Sequence, residues 1–248
     1  MEKYNFSFLN NQLIINFMKE YQLTKADVLP FVAEMKMYLE NPEGYRLTWD
    51  GMVVLESYVV DVNPALLYLE EPFFSQKITI NEVDYVKNPV KKQFLTQYDP
   101  KISYYLTGNN GIGKTFLAVA LAGLHFDETK EKTLFVFWPD FIEKTKRFGD
   151  NNIHYINKVK YAKRLIIDDL GQESITSWSR DDILNSIIAF RLEKKLYTIV
   201  TSNYYQKELT GIYTLREIES KKAKSIANKI SGLTMEYPLS GKDLRNDI

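Results

Sequence analysis

Eight residues constrain this chain more than any others: Gly108-Asn109-Asn110-Gly111-Ile112-Gly113-Lys114-Thr115 fit the phosphate-loop pattern in full. The pattern demands context as well as letters, and both are present. The apolar run Ile102 to Thr107 reads as a strand just before it, and a helical stretch from Lys114 to about Leu124 opens behind it. Glycines let the backbone curl so that several N–H groups point inward at phosphate oxygens. Lys114 then reaches the β and γ phosphates, and the Thr115 hydroxyl is placed to ligate magnesium. Gly108, Asn109, Asn110, Gly111, Ile112, Gly113, Lys114, Thr115 and Phe116 are therefore the expected nucleotide-binding residues. The bland alternative is a Gly-rich turn followed by an ordinary lysine, and the flanking strand and helix argue against it.

From Lys101 onward short apolar strands alternate with helical stretches: Leu134 to Trp138, a helix near Phe141 to Phe148, Leu165 to Asp168, a helix around Arg180 to Lys194, and Thr198 to Ser202. Such alternation predicts a parallel sheet flanked by helices, an α/β fold. Leu165-Ile166-Ile167-Asp168-Asp169 ends one strand with two carboxylates, 54 residues downstream of Lys114. At the carboxyl edge of a parallel sheet they would lie where phosphates sit. Asp168 is expected to serve magnesium, and Asp169 to polarise the lytic water. An adjacent pair favours hydrolysis, where a single Asp would suit a kinase or GTPase equally. Thr201-Ser202-Asn203 ends the next strand, so the Asn203 amide is expected to hold that water near the γ phosphate. Lys114, Asp169 and Asn203 are the expected catalytic set.

Composition excludes several other chemistries. None of the 248 residues is cysteine, which removes disulfides, thiolate zinc sites and cysteine nucleophiles. Only His125 and His154 offer imidazole, an incomplete set for zinc. No run approaches the ~20 apolar residues of a membrane span, and the first ten residues lack an apolar signal core, so a cytoplasmic protein is expected. The formal charge balances at zero, yet residues 1–98 carry 9 basic and 13 acidic side chains while residues 99–248 carry 23 and 19. The opposite balances of −4 and +4 suggest two regions with different partners. In the first region, Ile14, Phe17, Met18 and Tyr21, then Val28, Phe31, Val32, Met35 and Leu39, recur at helical spacing, with Thr24 as a cap before the second run. A small, mainly helical domain over 1–98 followed by a phosphate-loop domain over 99–248 is the expected organisation.

The stretch Leu170-Gly171-Gln172-Glu173-Ser174, through Trp178 and Arg180-Asp181-Asp182-Ile183-Leu184 to Phe190-Arg191 and Thr201-Ser202-Asn203-Tyr204, resembles the bacterial helicase loaders of the DnaI/DnaC type, a branch of the AAA+ ATPases. The likeness extends to Pro139-Asp140-Phe141 and to Leu239-Ser240-Gly241-Lys242-Asp243-Leu244-Arg245, and more faintly over residues 24–92. It implies a five-stranded parallel sheet and a core that binds ATP and single-stranded DNA. It further implies an amino-terminal adaptor that grips the hexameric replicative helicase, and self-association through the core.

The chain departs from that family at three places. Asn88 stands where a zinc-binding cysteine would precede Pro89, so the adaptor must fold without zinc. The connection from Pro89 to the strand at Ile102 is short, which alters the adenine enclosure. In the helix Lys221 to Ile230 the family's finger arginines are missing, and Ser225 and Lys229 stand in their places. Lysine keeps the charge but not the planar fork. Arg180, Arg191, Lys224 and Lys229 are the candidates for trans-acting or sensor roles, with structural ion pairs or a solvated helix face as the alternative. Two further functions share the same residues: a transposition-helper or phage replication ATPase, and a nucleotide-binding helicase adaptor whose hydrolysis is vestigial.

Overall fold

The computed structural model describes residues 6–40, 42, 45–57, 63–69, 74, 78–80, 89–147, 152–214 and 220–243. The chain divides into two compact units, Met1–Asp61 and Val62–Ile248.

In the first unit a 3-10 turn at Phe6–Asn10 leads into helix α1 (Gln12–Glu20). Asn11 caps α1 by accepting the Leu13 N–H at 2.9 Å. Helix α2 (Lys25–Val28) starts at Thr24, whose N–H donates to the Asp27 carboxylate at 2.7 Å. Pro30 falls inside a 3-10 turn at Leu29–Phe31, and helix α3 (Val32–Glu40) resumes behind it. The second helical run is therefore two helices, because proline interrupts the backbone ladder. Strands β1 (Tyr45–Trp49) and β2 (Val53–Ser57) form an antiparallel hairpin with Leu47 opposite Leu55. Ile14, Phe17, Val28, Met35, Leu47 and Val53 form this unit's core.

The second unit holds β3 (Leu66–Tyr68), α4 (Pro89–Gln97), β4 (Tyr104–Thr107), α5 (Lys114–Thr129), β5 (Thr133–Phe137), α6 (Trp138–Arg147), α7 (Asn152–Tyr161) and β6 (Arg164–Asp168). A π-helical segment at Trp178–Leu184 continues into α8 (Asn185–Lys194), then β7 (Tyr197–Ser202), α9 (Leu209–Tyr213), α10 (Ser220–Leu233) and β8 (Met235–Pro238). The sheet has six strands in the order β3-β5-β6-β7-β4-β8, all paired in parallel.

Four of these strands, β4 to β7, are the expected ones; β8 and β3 are not marked in the sequence, and β3 adds Leu66–Tyr68 beside Thr133–Phe135. That pairing also moves the boundary between units from the expected residue 98 to residue 61. A strand of three residues shows too little alternation to be read from sequence. Helix α4, likewise unexpected, seats Phe94 edge-on against Tyr104 and Tyr237. Asn88 and Arg245 lie outside the described residues.

Alternate side chains of each strand point to opposite faces. Tyr104, Leu106, Phe135, Ile166 and Ile199 pack with Leu117, Ala118 and Leu121 of α5 on one face. Tyr105, Val136, Leu165, Ile167 and Val200 pack with α6, α8 and α10 on the other. Helix α5 is apolar nearly all round, as a helix buried within a domain must be.

Candidate functional site

Strand order brings the site together. The chain leaves β4, passes over two positions to β5, and fills β6 and β7 on the way back, so the carboxyl ends of β6, β7 and β4 are neighbours. A ligand crevice forms at such a reversal. Its walls are Asp168 at the end of β6 and Asp169 just past it, Asn203 after β7, and the phosphate loop after β4.

The loop needs its glycines. Gly108, Gly111 and Gly113 take φ of 140°, 76° and 81°, which favour residues without a Cβ. A Cβ on Gly108 would also overlap the Leu239 carbonyl, and one on Gly111 would overlap the Asp243 carboxylate. Ile112 anchors the loop in the core at 1% exposure, while Asn109 and Asn110 are exposed. Phe116, in the first turn of α5, is half-buried against the core on that side of the sheet.

Lys114 is buried, and its Nζ donates to the Gly108 and Asn109 carbonyls at 2.9 Å each and to Asn203 Oδ1 at 2.7 Å. The ammonium therefore sits inside its own loop beside the expected sensor. The Thr115 hydroxyl donates to Asp168 Oδ1 at 2.8 Å, and the Thr201 hydroxyl donates to the same oxygen at 2.7 Å. Burial pushes the Asp168 carboxyl up to about 6 against the lowering effect of these two bonds. Asp169 is half-buried beside it with φ of 58°, and its N–H donates to Thr201 Oγ1 at 3.0 Å.

Thr115 and Asp168 offer oxygen donors alone, the chemistry magnesium prefers, and their contact puts both at one point. Among the described residues no cluster of three or more His, Asp and Glu could hold a metal by itself. Phosphate oxygens and water would have to complete the shell.

Arg180 and Arg191 are elsewhere and differently used. Both are fully buried. Arg180 grips Asp181 through Nε at 2.6 Å and Nη2 at 2.9 Å, and its Nη1 donates to the Tyr213 carbonyl at 3.0 Å. Arg191 donates to Thr198 Oγ1 at 2.9 Å and to the Ala162 and Tyr197 carbonyls at 2.7 Å each. Arg180 thus ties the π-helical segment to α9, and Arg191 ties α8 to α7 and β7; neither guanidinium is presented at the surface. On α10, Lys224 is exposed and the Lys229 ammonium donates to Asn185 Oδ1 at 2.6 Å. A cleft of about 160 Å³ lies between α10 and α8, lined by Asp181, Asn185, Lys222, Ser225, Ile226 and Lys229.

Three residues that matter at the edge carry no separate sequence signal. Thr201 clamps Asp168, Asp243 lies against Gly111, and Glu173 accepts the Gly171 N–H at 2.7 Å. Thr201 stands inside the strand-ending Thr-Ser-Asn, where only the asparagine attracts a role from sequence.

Residues 91–214, half of the chain, match the family of IstB-like ATP binding proteins. The chain belongs to that family. This IstB-like chain is 32% identical over 147 residues to the replicative helicase loader DnaI of Bacillus subtilis (strain 168), an alignment that covers 57% of this chain and 47% of that protein. The chain thus matches about half the length of this curated relative. Its fold superposes on a crystal structure of DnaI with a TM-score of 0.59 at 27% identity, covering 71% of this chain and 98% of that one. A candidate primosome component from Streptococcus pyogenes serotype M3 shares the fold with a TM-score of 0.58 at 23% identity, covering 74% and 97%. The relationship to helicase loaders therefore rests on sequence and fold together. Among the described residues no helix is long and apolar enough to cross a membrane.

Proposed function

We propose that this chain is an ATP-dependent loader of a hexameric replicative helicase onto single-stranded DNA. The observation that carries the reading is the meeting of Lys114, Asp168, Asp169 and Asn203 at three adjacent strand ends, in a chain 32% identical to a replicative helicase loader. On this reading Lys114 leaves the Gly108 and Asn109 carbonyls for the β and γ phosphates of ATP. Thr115 and Asp168 would hold magnesium, which when bound neutralises phosphate charge. Asp169 takes up or polarises the proton of the attacking water, and Asn203, released from Lys114, holds that water. Residues 1–61 contact the helicase, and the basic second unit faces DNA and self-associates as nucleotide is bound.

Hydrolysis serves assembly on this account and is slow. A specific observation supports slowness: Lys229, at the finger position, is bonded to Asn185, and lysine lacks the two-pronged contact of arginine. The same observation favours a second reading, an adaptor that binds ATP as a switch with vestigial turnover. Both readings are tested by sedimenting the full chain with a hexameric replicative helicase and single-stranded DNA, with ATP, with ADP and without nucleotide. The loader reading expects co-sedimentation that depends on nucleotide, with turnover above background. Complex without turnover favours the adaptor. No complex under any condition contradicts both, and points to a transposase or phage protein as client.

A further inference from the structure

The turn that follows β6 contains a buried carboxylate that the mechanism above does not use. Glu173 is 8% exposed. Its Oε2 accepts the Gly171 N–H at 2.7 Å, and its Oε1 accepts the Tyr213 hydroxyl at 2.9 Å. Tyr213 is fully buried in α9, a helix that packs with α10 in the same core. The turn itself needs fixing. Asp169 has φ of 58° and Gly171 φ of 91°, and a left-handed aspartate persists only where its surroundings impose it. On one side β7 supplies the restraint: Thr201 receives the Asp169 and Leu170 N–H groups, and the Ser202 hydroxyl donates to the Leu170 carbonyl at 2.7 Å. On the other side the restraint is Glu173. A Cβ on Gly171 would come within 2.9 Å of the Tyr204 ring, so the position itself calls for glycine.

We propose that Glu173 is a positioning residue for Asp169: it fixes the second half of the turn so that Asp169 faces the attacking water, and through Tyr213 it ties that geometry to α9. The proposal rests on the reading of the edge as an ATP-hydrolysing site. The chemistry of the contacts suits the task. Two donors converge on Glu173, and a carboxylate, which only accepts, satisfies both. Burial raises its pKa, while both bonds favour the charged form. Alanine would leave a buried N–H without an acceptor. Glutamine would keep the Gly171 bond through its oxygen and could donate to a reversed Tyr213 hydroxyl, so it should rescue. Phenylalanine at 213 would remove one of the two bonds and leave the other.

The test uses the full chain carrying Glu173→Ala, Glu173→Gln, Tyr213→Phe, Asp169→Asn, or Glu173→Ala with Asp169→Asn. Steady-state ATP hydrolysis and the Kd of a fluorescent ATP analogue are measured for each. Glu173→Ala is expected to lower kcat roughly 10- to 100-fold with Kd within about 3-fold of the parent. Glu173→Gln should stay within about 3-fold of the parent kcat, and Tyr213→Phe should fall between the two. On the Asp169→Asn background Glu173→Ala should cost nothing further, because a residue that acts through Asp169 has nothing left to position. The proposal is overturned if Glu173→Ala weakens nucleotide binding as much as turnover, or if its loss adds in full to that of Asp169→Asn. A parent chain without turnover sinks the hydrolysis reading separately. Amide exchange at Gly171 then decides the positioning role, faster exchange in Glu173→Ala supporting it and unchanged exchange overturning it.

Discussion

Asp168 and Asp181 stand in the same domain and are treated in opposite ways. Asp181 lies on the π-helical segment with the Arg180 guanidinium on one side and the Lys222 ammonium 2.8 Å away on the other. The Arg180 contact, foremost, holds its carboxyl down to about 2. Asp168 faces two hydroxyls, and burial pushes it up to about 6. The first carboxylate is neutralised by the scaffold and stabilises it. The second carries an electrostatic cost in the nucleotide-free chain, a cost that a divalent cation at the same oxygens would remove. Lysine and arginine divide along the same line. Arg191 is bonded to carbonyls that no ligand can replace, whereas the Lys114 partners are a loop and an amide that phosphate can displace.

The contrast breaks most visibly at Asp169 and Arg191. Asp169→Asn should cut turnover roughly 100-fold or more, the scale of a lost general base, with nucleotide Kd unchanged in an equilibrium titration. Arg191→Met should leave several carbonyls unpaired and cost about 3–5 kcal/mol in urea unfolding. Arg191→Lys should recover little, because an ammonium cannot reach the acceptors that the fork spans.

Asp168→Asn should lose roughly 100-fold in magnesium-dependent nucleotide affinity, the several kcal/mol a divalent cation contributes. The same substitution should raise the thermal midpoint of the nucleotide-free chain at pH 7–8. The folded state binds the Asp168 proton more tightly than the unfolded chain does. The cost is therefore absent below pH 4, grows as pH rises from about 4 to about 6, and is full above that.

Asp181 should show the reverse dependence, with a smaller amplitude because it is part-exposed. Its stabilisation is present above about pH 4 and disappears as pH falls toward about 2. Thermal melts of Asp181→Asn against the parent should converge at the acid end. The smallest effect belongs to Lys229→Ala, which should cost within about 1 kcal/mol in the same unfolding assay. A larger loss would mean that the Asn185 contact is part of the scaffold.

Much of the phosphate edge is legible in the sequence, since phosphate loops and strand-ending acids follow fixed local rules. Gly108 to Thr115, the Asp168–Asp169 pair and Asn203 meet because each ends or follows a strand whose apolar run is plain in the sequence. What stayed hidden depends on long-range partners. Thr201 gains its role from a strand neighbour 33 residues away, and Tyr213 meets Glu173 across 40. For a related reason the sequence leaves Arg180 and Arg191 open between a trans-acting and a structural role. Sequence shows a charged residue in a family-like box, but not the carbonyls of Tyr213, Ala162 and Tyr197 that fold around it. Strands β3 and β8 and helix α4 leave little trace in the sequence, because they are short or polar and gain their order from β5, β4 and Tyr104 respectively.

The central claim is that the carboxyl edge of β4, β6 and β7 is a magnesium-dependent ATP site built around Lys114. Titrating a fluorescent ATP analogue into the full chain and into Lys114→Ala, each with magnesium and with chelator, tests it most directly when thermal melts show both proteins folded. Saturable binding that weakens in chelator and falls by about 100-fold or more in Lys114→Ala is the expected result. Equal binding by the two proteins, or none by the parent at millimolar nucleotide, would contradict it.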